Sequence, residues 1–539
     1  MTTTLHGTQS PERTAPEYAR LEERILARDQ KGASDAFLDL VRAGRPMLEL
    51  VHQTVRIHAP YTHVPFHQRL DGGLVRFVNN DHCLLSAGAT MRLANRMPAG
   101  LQHLPLAQTI WYVPTGLDPW NQLLGNAPGH YARMYEVDVS AEPPPPSVHW
   151  ADQEPLYLDG SLEERLNHWL TLVQRSEVVT AYRVFLGLLE HEADRARVLS
   201  QLVFAGLIDV QDRMLFNRSY TTGHKAYRAR TTVELGEAIG WPDAHAVVYA
   251  GVPDLGVGPH WYSTFEMACN VAQTLLDGRD FEMRTNTGAL TPQQQAELED
   301  VILHGREPAW QYQISDLLKA GADPLRILDI VQLSTAQLLL ECGAPENYSM
   351  PQHSAEYCNT LRWYFDRFTH PHQVKLLYVA AAMANQAAHH QAADPKNGQP
   401  TIRVPHGVEA WSHGRLLTRL DQALLARDTD SAVALSAAYL RTSFDRRPLV
   451  QLLATVSTQF GNDPHNQEIG LSLVEDYFRS SATGRDRLLL ACAKHITGYR
   501  KYGDPLEAYR RYTEAFKIDT PHARTANGDA PVEALLFDD

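Results

Sequence analysis

The sequence predicts an all-α protein of three or four helical-bundle repeats, closed around a central cavity. First, apolar side chains recur at helical spacing, as in residues 166–173 after the capping box that starts at Ser161. Second, strand-like alternation is scarce, and its two candidates, residues 75–78 and 110–113, are short and ambiguous. Third, one pattern recurs: a histidine follows a turn-forming residue and opens an amphipathic helix. These observations together favour repeated helical units.

Each repeat has the order apolar helix, loop, histidine, amphipathic helix, turn and apolar helix. The histidines at the equivalent position are His67, His224, His353 and His465. The unit of His67 is the weakest match, with its later segments at residues 77–92 and 104–112. The steps between these histidines far exceed the roughly 20–50 residues of solenoid repeats, so each unit should be the size of a bundle.

Helix boundaries and two linkers complete the predicted organisation. Gly240 and Pro242 should end the helix of His224, and Thr291 should cap a helix that starts at Pro292. Residues 140–160 contain four consecutive prolines, and residues 391–408 are rich in turn formers. The predicted segments are a disordered N-terminus (1–15), an N-terminal repeat (16–139), a Pro-rich linker (140–160), two central repeats (161–390), a linker (391–408), a C-terminal repeat (409–520) and a tail (521–539).

Composition narrows the classes of partner. The 539 residues carry 49 Lys and Arg against 63 Asp and Glu, which argues against a nucleic-acid backbone as the main partner. The five cysteines are scattered without a Cys-x-x-Cys pair, as expected of reduced thiols in the cytoplasm. A signal peptide and a run of about 18 apolar residues are both missing, so the protein is expected to be cytoplasmic and not bound to a membrane.

The recurring histidines predict a transition-metal site. Imidazole is a good ligand for iron, copper, zinc and nickel, and one histidine from each of four repeats would surround an ion if His67, His224, His353 and His465 converged. His224 is the first candidate, as metal ligand or general base, and Lys225 would stabilise a developing anion. The alternative for each histidine is a structural role as a helix cap or loop anchor.

Acidic residues near these histidines could orient the rings or bind the ion directly. Glu356 and Glu468 each follow a histidine by three residues, on the same helical face. The remaining acids near the predicted ligands are Asp71, Asp209 and Asp212.

The sequence lacks the motifs that are typical of several enzyme classes. The usual di-iron carboxylate site of helical bundles is not predicted, because Glu190-His191-Glu192 lacks the Glu-x-x-His spacing, and the His-Glu-x-x-His of zinc proteases does not occur. The Gly-x-Ser-x-Gly elbow of serine hydrolases is missing as well, so the sequence does not predict serine hydrolase chemistry.

The run Gly223-His224-Lys225-Ala226, followed by Ile239-Gly240-Trp241 and Ala244-His245, resembles a largely uncharacterised bacterial helical domain with a GHKA…IGW…HA motif. Residues 352–361 resemble the second histidine helix of that group, and residues 464–493 resemble the third. Some members carry a C-terminal Rieske iron–sulfur domain. A fainter similarity links the chain to the questin oxidase group of cofactor-poor, Baeyer–Villiger-type oxygenases. The resemblance spans about residues 165–505.

The resemblance implies an oxidoreductase or oxygenase, with iron as the expected metal and a small organic metabolite, such as an aromatic one, as substrate. The chain has no Rieske motif of its own, so a separate electron-transfer protein or the substrate would supply electrons. Two alternatives stay open: a non-catalytic helical-repeat scaffold that binds a partner protein, and a metal-free oxygenase in which the histidines act only as bases.

Overall fold

The computed structural model describes residues 15–59, 82–116, 153–210, 213–215, 218–220, 223–256, 260–400, 402–460, 464–499 and 506–518. Within these ranges the regular structure is almost entirely helical, which confirms the all-α prediction. The exception is one antiparallel pair, β1 (Arg213–Leu215) with β2 (Arg218–Tyr220).

The α-helices of the N-terminal part are α1 (Ala19–Leu26), α2 (Gln30–Arg42), α3 (Met47–His58), α4 (Cys83–Ala94), α5 (Leu104–Gly116), α6 (Leu162–Gln174), α7 (Val178–Leu189) and α8 (Arg195–Ile208). The central part has α9 (His224–Ile239), α10 (His245–Gly251), α11 (Ser263–Leu275), α12 (Pro292–Leu303), α13 (Ala309–Lys319), α14 (Pro324–Glu341), α15 (Ser349–Arg367) and α16 (Lys375–Ala392). The C-terminal part has α17 (His413–Ala426), α18 (Thr429–Leu440), α19 (Arg447–Gln459), α20 (His465–Arg479), α21 (Asp486–Gly498) and α22 (Glu507–Phe516). Short 3₁₀ helices cover Pro16–Tyr18, Glu192–Asp194, Trp241–Asp243, Pro253–Gly256, Asp280–Thr285, Pro345–Tyr348 and Val408–Ala410.

Local sequence signals set several of these boundaries. Helix α6 starts with the predicted capping box, in which Ser161 and Glu164 satisfy each other's backbone N–H groups. Thr291 caps α12 in the same way, with Pro292 at its first position. Helix α9 ends at Ile239 because Gly240 takes φ +97°, in the region that favours glycine, before the Trp241–Asp243 turn.

Four helices pack in a closed cycle. Helix α4 contacts α9, α9 contacts α15, α15 contacts α20, and α20 contacts α4. Each of the four lies between two further helices of its own unit, in the groups α3–α5, α8–α10, α14–α16 and α19–α21. This arrangement agrees with the helical-repeat prediction and supplies four units. The central cavity stays a prediction.

Glycines allow close approach where the helices of this cycle cross their neighbours. A Cβ atom on Gly88 of α4 would lie 2.5 Å from Cγ2 of Thr231 in α9. A Cβ atom on Gly206 of α8 would lie 2.7 Å from the Lys225 carbonyl oxygen. Both distances are shorter than real contacts allow, so a larger residue at either position would push the N-terminal part of α9 away from its neighbours.

The predicted linker at residues 391–408 lies against the main body. Asn347 donates from Nδ2 to Asp394 and Asn397, at 3.0 and 2.9 Å. The predicted linker at residues 140–160 is described only from residue 153 onward.

Buried side chains from the predicted N-terminal, central and C-terminal parts belong to one continuous hydrophobic cluster. Among the described residues, helices with the length and apolarity needed to cross a membrane do not occur.

Candidate metal centre

Four buried histidines stand at the N-terminal ends of the four helices in the cycle. His82 immediately precedes α4, His224 and His465 are the first residues of α9 and α20, and His353 lies in the second turn of α15. Each side chain is at most 5% exposed. The closed packing of the helices therefore brings one imidazole from every unit to the same end of the cycle.

The four rings form one compact cluster. Nε2 of His353 lies 3.0 Å from Nε2 of His224 and 3.2 Å from Nε2 of His465. The ring of His82 has its centroid 4.8 Å from that of His224 and 4.4 Å from that of His465. One ring nitrogen each from His82, His224 and His465 lie within 4.8 Å of one another, so the cluster is small enough to hold a single ion.

The outer ring nitrogens of three of these histidines face oxygen atoms. Nδ1 of His353 lies 2.6 Å from the Ser349 carbonyl oxygen, which can only accept, so Nδ1 carries the proton. A neutral His353 then turns the lone pair of Nε2 toward His224 and His465. Nδ1 of His82 lies 2.9 Å from Glu468, and Nδ1 of His465 lies 3.4 Å from the Tyr499 hydroxyl. Such outer partners fix the orientation of histidines that bind metals.

Two fully buried carboxyl groups adjoin the cluster. Glu356 offers an oxygen within 4.8 Å of ring nitrogens of both His224 and His353. Glu468 accepts from the Ser86 hydroxyl at 2.7 Å as well as from His82. Both side chains are 0% exposed. Burying carboxylates costs free energy unless cations or hydrogen bonds compensate them, so this pair favours a nearby cation.

The structure brings together three of the four predicted ligands, His224, His353 and His465. His67 lies outside the described residues, as does Asp71. The fourth ring of the cluster belongs to His82, which the sequence reasoning missed. The sequence signal for His82 was present. The turn-forming residues Asn79-Asn80-Asp81 directly precede it, and an apolar helical segment follows it.

The carboxylates are distributed differently from the predicted pattern. Glu468 follows His465 on the same helix, yet it bonds to His82 of the neighbouring unit. Asp209 was expected to orient His224 but accepts hydrogen bonds from Lys225, at 2.7 Å, and from the Trp261 backbone N–H. The ammonium group of Lys225 is thus paired with a carboxylate. That Lys225 stabilises a developing anion stays a prediction. Asp212 lies outside the described residues.

A charge network farther along the same four helices ties the cycle together. Glu475 of α20 lies 3.0 Å from Arg92 of α4 and 3.3 Å from Arg230 of α9. Arg230 also donates to Asn359 of α15 at 2.6 Å, and Asn359 donates to Asp476 at 2.8 Å. Burial raises the pKa of Glu475, but Arg92 and Arg230 outweigh that effect and lower it to about 2. Each helix of the cycle therefore contributes a buried or partly buried polar group that helps to fix its position.

The spacing of the imidazole nitrogens can be compared with that of metal ligands. Bonds of about 2.0–2.1 Å to zinc place neighbouring ligand nitrogens roughly 3.0–3.4 Å apart. The two Nε2 pairs, at 3.0 and 3.2 Å, fall in this range.

Comparison of the chain with protein-family models, curated proteins and solved structures finds no match.

Proposed function

We propose that the protein is a metal-dependent oxidoreductase or oxygenase whose transition metal, first of all iron, binds among His82, His224, His353 and His465. The observation that carries the proposal is the convergence of Nε2 atoms from separate repeats, at 3.0 and 3.2 Å. The proposal keeps the three predicted ligands that meet and takes His82 as the fourth.

The protonation pattern supports this assignment. Nδ1–H of His353 and Nδ1–H of His82 each donate a hydrogen bond to an outer oxygen, which leaves Nε2 of the neutral ring as the atom with a lone pair. Two lone pairs that face each other at about 3 Å repel unless a proton or a metal ion compensates them. A cation among the four rings would remove this repulsion and offset the charge of Glu356, which becomes a fifth possible ligand.

Each side chain has a separate task in the proposed site. The four imidazoles would hold the ion, Glu468 would fix the ring of His82, and the Ser349 carbonyl would fix that of His353. Bound iron would supply one-electron and oxygen chemistry. Because the rings are buried, the protein excludes bulk water from the ion and strengthens the electrostatic interactions around it.

The proposed reaction and substrate are based on the resemblance to the bacterial helical domain with the GHKA…IGW…HA motif. Its Rieske-linked members suggest a small organic substrate such as an aromatic metabolite. A separate electron-transfer protein would reduce the metal, because this chain has no iron–sulfur motif.

The first experiment is the metal content of the purified protein, measured by mass spectrometry for wild type and for His353→Ala. The matched control is His370→Ala, which removes another buried histidine, one that bonds to Gln201. We expect about one equivalent of iron in wild type and control, and a loss of at least tenfold in His353→Ala. Absence of any transition metal from folded wild type, even after reconstitution with Fe²⁺, would refute the proposal and favour a scaffold or a metal-free base mechanism.

A second measurement separates metal binding from oxygen chemistry. The ferrous protein is mixed with oxygen, and its oxidation is followed by electron paramagnetic resonance. Oxidation faster than that of free Fe²⁺ supports an oxygenase or oxidase. A ferrous site that resists oxygen would reduce the proposal to a structural metal site.

A further inference from the structure

A second group of polar side chains lies at the junction of α6 and α7, outside the histidine cluster. The Ser176 hydroxyl is 2.9 Å from Nε2 of His260, and Nδ1 of His260 is 2.5 Å from Asp209. The residues are 84 and 51 positions apart in the chain, so local sequence does not bring them together. This order of contacts, hydroxyl to imidazole to carboxylate, is the arrangement of a nucleophile, a base and the group that orients the base.

The surroundings of Asp209 fix the roles of the three groups. Asp209 also accepts from Lys225 and from the Trp261 backbone N–H, and its side chain is 1% exposed. Burial raises the pKa of Asp209, but Lys225 and His260 outweigh this and hold the carboxyl ionised. Nδ1 of His260 lies 2.5 Å from Asp209, closer than to the Tyr262 hydroxyl at 3.0 Å or to Nζ of Lys225 at 3.4 Å, so Nδ1–H donates to the ionised carboxylate. Nε2 then carries the lone pair that faces Ser176.

His260 is suited to act as a neutral base. Burial, followed by the charge of Lys225, lowers the pKa of His260, so the unprotonated ring predominates near neutral pH. The ring of Tyr262 stacks on His260, with an interplanar angle of 17° and centroids 5.2 Å apart. This contact limits rotation of the imidazole away from Ser176 and Asp209.

The backbone at Ser176 is unusual for a serine. Its φ of +56° lies in the left-handed region, which non-glycine residues seldom adopt and which is enriched at functional sites. Helix α7 begins two residues later at Val178, without a side-chain cap from the described residues. The first amides of a helix lack acceptors within it, so the start of α7 offers N–H donors close to Ser176 along the chain.

The site is partly exposed, and apolar residues adjoin it in sequence. Ser176 is partly exposed, and the side chain of His260 is 11% exposed. Val179, in the first turn of α7, is 40% exposed, and Trp261, next to His260, is 37% exposed. Exposed apolar side chains beside a polar site suit a substrate with an apolar acyl group.

We propose that Ser176, His260 and Asp209 form a serine esterase site for small esters with apolar acyl groups. Oγ of Ser176 attacks the ester carbonyl carbon while its proton passes to Nε2 of His260. The carbon–oxygen bond to the alcohol breaks, and the alcohol leaves with that proton. Water, deprotonated by His260, then attacks the acyl-serine, which releases the carboxylic acid and returns the proton to Ser176. Asp209 is a positioning residue that holds the ring of His260. This activity is independent of the proposed metal centre.

The test is covalent labelling of the full-length protein with a fluorophosphonate probe, which reacts with activated serines. Intact mass and peptide mapping should show one equivalent on Ser176, and treatment with chelator should leave the labelling unchanged. The matched variants are Ser176→Gly, which removes the hydroxyl and suits the positive φ, and Ser412→Ala, which removes an exposed serine that caps α17. We expect no label on Ser176→Gly and full label on Ser412→Ala. A wild-type protein without label, or equal labelling of folded Ser176→Gly, would overturn the proposal.

Hydrolysis of p-nitrophenyl butyrate tests the base and the positioning residue. His260→Gln should abolish turnover. Asp209→Asn keeps the shape but not the charge, and it should lower kcat roughly a thousandfold with little change in KM. If Asp209→Asn instead lowered kcat only in proportion to the loss of folded protein, measured by circular dichroism, Asp209 would have only a structural role.

Discussion

Nε2 of His353 lies 3.0 Å from Nε2 of His224, although the two residues are 129 positions apart. Nδ1–H of His353 donates a hydrogen bond to the Ser349 carbonyl, so the Nε2 lone pair of a neutral His353 faces His224. Either His224 donates its own Nε2 proton across this gap or a cation satisfies both rings. The two states differ in a measurable way, because only the second depends on metal.

Removal of metal should lower the thermal stability of the wild-type protein. A ligand that binds only the folded state at a concentration of 100 Kd stabilises it by about 2.7 kcal/mol, which should shift Tm by a few degrees in a chain of this size. We expect a chelator to lower the Tm of wild type and of the control His370→Gln. The Tm of His353→Gln should not respond. Equal shifts in all three proteins would show that the chelator acts elsewhere.

Replacement of Glu468 should weaken metal binding without removing a ligand. Its carboxylate accepts a hydrogen bond from Nδ1–H of His82, and the neutral amide in Glu468→Gln would polarise and orient that ring less strongly. We expect the metal affinity to fall about 10–100-fold, as measured by competition with a chromophoric chelator. Ser86→Ala, which leaves the pair of His82 and Glu468 intact, should change it less. The assignment would be wrong if Glu468→Gln bound metal as tightly as wild type.

The helical class and three of the clustered histidines followed from the sequence because both depend on local signals. Helical periodicity and the capping boxes at Ser161 and Thr291 act within a few residues. His224 and His465 each follow a turn-forming residue and open a helix, which is likewise visible locally. The prediction that His353 opens its helix was wrong, because α15 begins at Ser349 and includes Pro351 in its first turn.

Such local signals could not predict hydrogen bonds between residues of different helices. The spacing of three residues between His465 and Glu468 predicts a shared helical face, but the helix packing decides that Glu468 bonds to His82. Ser176 also has no motif, since its base and the carboxylate come from distant segments. Such contacts depend on how distant segments of the chain pack together.

A side chain at Gly88 should separate α4 from α9. A Cβ atom there would lie 2.5 Å from Cγ2 of Thr231, so Gly88→Ala should destabilise the protein by about 1–3 kcal/mol. Urea unfolding followed by circular dichroism measures the loss. The same variant should reduce metal content, because it moves His82 relative to His224. The double variant Gly88→Ala with Thr231→Ala should recover most of the stability. Failure to recover would mean that the cost comes from another contact.

Asp476 should make stability depend on pH. Burial raises the pKa of this carboxyl to about 7, despite the opposing charge of Arg362 and a hydrogen bond from Asn359. Well below pH 4 the group is protonated in both the folded and unfolded states, so its ionisation does not change the free energy of unfolding. As pH rises toward 7, the unfolded state loses the proton first, so the free energy of unfolding falls, and above pH 7 the loss is complete.

The variant Asp476→Asn keeps an oxygen that can accept from Asn359 but has no proton to lose. Urea unfolding of wild type and variant at pH 4 and pH 8 should therefore give similar stabilities at pH 4. At pH 8 the variant should be more stable by a few kcal/mol. Asp243 is exposed, so Asp243→Asn serves as the control. Its stability relative to wild type should be the same at pH 4 and pH 8. A gain of equal size at both pH values would mean that the amide improves packing, and that the ionisation of Asp476 does not limit stability.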